Sequence, residues 1–181
     1  MRAHRSIQGA LCRELRAVGA AVDLERIVPE LSGRAQGSRE SADAILDLYV
    51  TFPGVPERFL VDVTVRSPHA ARFPDAATRI GQPSAAGAKE KFDLYGPAVL
   101  PLAFESYGRI GAAGLRTIAT LAVAAASSAF SPATSSRFQH LWRAACERAL
   151  LYASADVALL ALGADARRFA PHSRGPHSRG S

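Results

Sequence analysis

The chain has 181 residues, 48% hydrophobic and 21% charged, the proportions of a soluble globular protein long enough to bury a core of its own. A net charge of +6 and a pI near 10 permit a polyanionic partner without demanding one. Cys12 and Cys146 lie far apart and outside any CxxC, which argues against a disulfide scaffold or a zinc knuckle and favours buried free thiols in a reducing compartment.

Taken in order, Ile7, Leu11, Leu15 and Val18 recur at helical spacing, so residues 6–18 are expected to form an amphipathic helix stopped by Gly19. The charges in the first fifteen residues are too frequent for a signal peptide. Residues 25–31 are a short run that Pro29 confines to an edge or irregular strand, and residues 32–41 read as a Gly/Ser/Arg loop. Residues 45–66, ILDLYVTFPGVPERFLVDVTVR, read as a β-hairpin turning through Phe52-Pro53-Gly54-Val55-Pro56. Residues 67–84 form a long Pro/Gly/Ala-rich connection, of the kind that is often functional. A helix capped by Ser84 is expected to run to Tyr95 and end at Gly96-Pro97. Residues 98–104 suit a buried strand that Pro101 weakens, residues 108–128 an Ala-rich helix, and residues 136–162 a long helix after a linker over residues 131–136. Residues 119–129 with their flanks fall short of the roughly 20 apolar residues of a membrane span. The tail repeats PHSRG and is expected to be disordered, its histidines inert. An α/β fold with a central mixed sheet and helices on its faces is the simplest packing of this order.

Chemistry gathers around the hairpin. Side chains alternate along a strand, so Val61, Val63 and Val65 share one face and Asp62 and Thr64 the other. Leu46, Leu48 and Val50 likewise oppose Ile45, Asp47 and Tyr49. A turn centred near Gly54 and Val55 sets Asp47 directly across from Asp62, with Cβ atoms roughly 5 Å apart. Two opposed carboxylates repel, and a hard cation such as Mg²⁺ would reconcile them. The alternative is another register, with one aspartate at a solvated strand end.

Arginine supplies 20 of the 22 cationic residues, so Lys89 and Lys91 stand out. They lie roughly 200° apart around a helix, so only one can face the sheet. Lys91 is favoured because Gly87, Ala88, Leu94 and Tyr95 line its side; the alternative is a solvated Lys-Glu-Lys surface. Glu105 is either a third carboxylate or the first polar residue after the strand.

Asp47, then Asp62-Val63-Thr64 fifteen residues on, then a helix bearing Lys91 and Tyr95, then Phe104-Glu105-Ser106-Tyr107-Gly108, resembles the PD-(D/E)xK restriction-endonuclease-like nucleases. The pattern is most similar to the endonuclease domain of site-specific non-LTR retrotransposon polyproteins, over about residues 22–111. It departs from that family in having Leu46 before Asp47 and Thr64 where many members carry lysine. Asp43 is a second candidate for the first acid.

The resemblance implies a restriction-endonuclease-like core over residues 1–130, a helical C-terminal extension over 131–168 and a disordered tail over 169–181. It implies Mg²⁺ (or Mn²⁺) held by Asp47 and Asp62, phosphodiester hydrolysis in DNA with Lys91 as the catalytic cation, and support from Thr64, Tyr95 and Glu105. Arg66, Arg72 and Arg79 would contact the DNA backbone. With no reverse-transcriptase signature and no zinc knuckle, the chain would be an isolated, truncated or domesticated nuclease domain, or part of a larger polyprotein. It would be intracellular, and nuclear if eukaryotic, with residues 136–162 packed on the core or forming a homodimer contact. Competing expectations are a nucleic-acid-binding module that kept the fold and lost the chemistry, and an interaction domain with no nucleic-acid role.

Overall fold

The computed structural model describes residues 2–32, 43–76, 78–128 and 134–168, with side chains described to residue 156. The expected C-terminal tail, most of the loop after residue 31 and part of the linker before residue 134 lie outside the described residues.

Four strands form one open mixed sheet in the order β1 (Ala21–Ile27), β2 (Ile45–Thr51), β3 (Arg58–Arg66), β4 (Val99–Glu105). The first two pairings are antiparallel and the third is parallel. Among the described residues four helices accompany them: α1 (Arg2–Ala17), α2 (Gln82–Tyr95), α3 (Ala112–Ser127) and α4 (Ser135–Arg168). The α/β class and the central mixed sheet flanked by helices are those expected from sequence. Among the described residues no helix is long and apolar enough to cross a membrane.

The main core lies on the side of the sheet carrying Val61 and Val63, where α1, α3 and α4 pack through Ile7, Leu11, Leu121, Trp142 and Leu150. Residues 136–156 therefore pack on the same core as the sheet. Phe138 stacks on Trp142 at 5.3 Å between ring centroids. On the opposite side α2 crosses over β3 so closely that a Cβ on Gly87 would sit 2.9 Å from the Thr64 methyl. Because β3 is covered on both faces, Leu60 to Thr64 are all buried, which accounts for its nearly unbroken apolar reading.

Several boundaries differ from expectation, each for a local reason. Helix α1 begins at Arg2, a full turn before residue 6, and so includes His4. Strand β1 lies four residues upstream of the expected run, because six of its seven residues face solvent and carry no alternation to read; Pro29 instead opens a 3-10 turn, Pro29–Leu31. Helix α2 starts after Gly81, at φ 85°, and not at Ser84. Ser84 sits inside the first turn, where its hydroxyl donates to the Gly81 carbonyl at 3.0 Å. Gly96 ends the helix where the sequence placed the stop. Pro101 is tolerated because β4 is an edge strand.

Burial alternates along the whole of β2, but its buried residues divide between two clusters at Asp47. Leu48 and Val50 enter the main core, whereas Leu46, expected on their face, packs in a smaller cluster with Leu60 and Val99. The ladder between β2 and β3 runs only from Leu48↔Val61 to Thr51↔Arg58, although β3 continues to Arg66. Before Leu48, β2 stays with β1 and leaves β3. Glu25, at the matching place in β1, has φ 52°, the left-handed region that a β-strand residue rarely adopts.

Candidate active site

The observed register continues the rule that opposes Asp47 and Asp62, and it is at this pair that the ladder stops. In place of a main-chain partner, the Val63 N–H donates to Asp47 Oδ2 at 2.6 Å. The same oxygen lies 2.9 Å from His4 Nε2 on α1. From the α2 side, the Lys91 ammonium reaches to 2.8 Å from Asp62 Oδ2. The two form a close ion pair, and Lys91 is the charged partner of this buried oxygen. Lys89 points elsewhere and pairs with Asp93 on the exposed side of α2. Tyr95 backs Lys91, with the ammonium 5.7 Å from the ring centroid.

The two carboxylates titrate unlike each other. Burial drives Asp62 up to about 7, sharing a proton with Asp47 adds to the rise, and Lys91 opposes it. For Asp47, burial also pushes upward. Hydrogen bonds from His4, Asp62 and the Val63 amide outweigh it, and its pKa falls below the usual value. His4 is raised chiefly by its hydrogen bond to Asp47, against the cost of burial. Tyr95 is raised by burial and then by the charge on Asp62. Burial and the neighbouring carboxylate thus favour the protonated form of Asp62 while Asp47 keeps its charge, with an ammonium at one end of the pair and an imidazole at the other.

The other candidates are distributed around this centre. Thr64 is buried beside Asp62 on the same face and lines a groove of about 600 Å³ with His4, Arg5, Glu25, Ser67 and Ser106. That groove runs along β3 beside the acid pair, and none of Asp47, Asp62 or Lys91 lines it. Glu105 is buried but lies across from Arg66, four residues along β4 from the partner of Asp62, about 13 Å further on. Its Oε1 lies 3.3 Å from Ser84 Oγ and its Oε2 3.7 Å from Arg109 Nε, a separate cluster. Asp43 is exposed ahead of β2, four residues from Asp47. Arg66 and Arg72 both pair with Glu90 on α2, and Arg79 is exposed beside Asp75. The two cysteines are free and buried, and burial pushes the Cys146 thiol to about 12, so it is unreactive.

Sequence reading missed His4 and Gln8. Their spacing of four on a helix was the available signal, obscured because the helix was expected to start after His4.

No family model, curated protein or solved structure matches the chain.

Whether a divalent cation suits these residues can be judged from the donor set. Among the described residues, no three His, Cys, Asp or Glu side chains gather into a metal-binding group. Two carboxylates do meet, one of them with a buried oxygen whose close neighbour is the Lys91 ammonium. Mg²⁺ commonly takes one or two protein carboxylates and completes its shell with water and substrate phosphate, so the oxygen donors present fit that ion.

Proposed function

We propose that the chain is a metal-dependent DNA endonuclease built on a restriction-endonuclease-like core and related to the endonuclease domains of retrotransposon polyproteins. The observation that carries this reading is the meeting of Asp47 and Asp62 on neighbouring strands with the Lys91 ammonium 2.8 Å away. Asp47 and Asp62 would hold Mg²⁺ or Mn²⁺, which supplies Lewis-acid polarisation of a phosphate and activation of water. Releasing the shared proton lets both acids serve as anionic ligands. Lys91, no longer needed to balance Asp62, is then free to offset charge on the phosphate undergoing attack. Thr64 and Tyr95 support these groups from the sheet and from α2, and Arg79 is available to a DNA backbone.

A second reading, a nucleic-acid-binding domain without hydrolysis, is favoured by one observation. Asp47 Oδ2 already accepts two hydrogen bonds and Asp62 already has a counter-charge, so the cluster is balanced without a metal. Incubating the purified chain with supercoiled plasmid and Mg²⁺ separates the two. Nicking that disappears in Asp62→Ala supports the endonuclease. DNA binding without nicking, by folded protein in Mg²⁺ or Mn²⁺, refutes it in favour of the second.

A further inference from the structure

Asp47 is gripped from α1 at two points. His4 Nε2 meets its carboxylate at 2.9 Å, and Gln8 Nε2 donates to its main-chain carbonyl, also at 2.9 Å. Residues four apart share a helix face, so one side of α1 carries both groups. Gln8 is only 5% exposed, between Ile7 and Leu11, which are fully buried. An amide costs free energy in such a place unless it makes a specific bond, and the bond it makes is to Asp47. His4 and the Val63 N–H converge on the same oxygen, Oδ2. The other, Oδ1, makes no hydrogen bond to His4, Gln8 or Val63.

We propose that α1 is a positioning element for the carboxylate site: His4 and Gln8 fix the rotamer and backbone of Asp47 so that Oδ1 is presented to a divalent cation. This rests on the endonuclease reading, and it adds a role for a helix that otherwise serves only the core. Hydrogen-bonded partners of ligating carboxylates typically change metal affinity by about 10- to 100-fold when removed.

The test is Mn²⁺ binding to the full chain by titration calorimetry, alongside plasmid nicking over a range of Mn²⁺ concentrations. His4→Ala is expected to weaken Mn²⁺ binding about tenfold or more and to raise the half-saturating Mn²⁺ for nicking by the same factor. Its KM for DNA should be unchanged. His4→Gln, which retains a donor, should recover most of the affinity, and Gln8→Leu, which keeps the volume, should lose it. Circular dichroism identifies any variant that has not folded. Should His4→Ala fail in that way, the His4→Gln and Gln8→Leu pair decides.

Wild-type Mn²⁺ affinity in His4→Ala, with Asp62-dependent nicking intact, overturns the role of α1 and leaves the endonuclease standing. Absence of both Mn²⁺ binding and nicking in the wild type overturns both.

Discussion

Replacing Asp62 with asparagine should flatten the dependence of stability on pH. Asp62 is buried, and it faces Asp47 on β2, Lys91 and Tyr95 on α2, with His4 of α1 beyond Asp47. Its pKa rises from 3.8 to about 7, chiefly by burial. A carboxyl raised in the folded state contributes stability that is complete below 3.8 and is lost as the pH climbs through about 7. At about 1.4 kcal/mol per pH unit the total has a ceiling of about 4 kcal/mol, of which about 2–3 kcal/mol falls between pH 5 and 8. His4, raised from 6.5, adds a loss of the same sign over the upper part of that window. Asp47, lowered, acts only in acid below 3.8. Asparagine imitates the protonated acid and should remove the Asp62 share of the slope. Urea unfolding at pH 5, 6, 7 and 8 without divalent cations measures it, and the buried Trp142, the single tryptophan, reports the transition. A wild-type stability that is level or rising over this range, or an asparagine variant with the full wild-type slope, would refute the reasoning.

Lys91→Met keeps the length of the side chain but removes the charge beside Asp62, and at pH 8 it should cost about 1–3 kcal/mol in the same urea assay. At pH 5, with Asp62 protonated, the loss should shrink. Gly87→Ala brings a methyl to 2.9 Å from Thr64 and 3.2 Å from Arg66. Overpacking at about 1–3 kcal/mol should exceed the gain of about 1 kcal/mol in helix propensity, so the melting temperature should fall. Glu25→Gly should have the opposite sign, because glycine accepts φ 52° freely, and a gain of up to about 1 kcal/mol should appear as a higher melting temperature.

The hairpin was legible because its turn residues set the register and its valines set the face; the observed pairing follows that register from Thr51↔Arg58 to Leu48↔Val61 and stops one step short of Asp47 and Asp62. Lys91 was legible because helical geometry allows only one of two lysines to face the sheet. Strand β1 was not, since an edge strand with exposed side chains loses the alternation that reveals strands. The break at Asp47 was equally hidden. It depends on a left-handed Glu25 and on a side chain replacing a main-chain partner, neither of which leaves a period in the sequence. His4 and Gln8 were missed because their meaning depends on a strand some forty residues away.

The parting of β2 from β3 has a consequence for evolution and design. Regular pairing through residue 47 would give the sheet two or three more rungs and bring its flanks together. The gap and the acid pair exist because those rungs were forgone. Mutations that extend the pairing at this point should therefore close the gap around Asp47, so on this fold a more complete sheet and an open acid pair exclude each other.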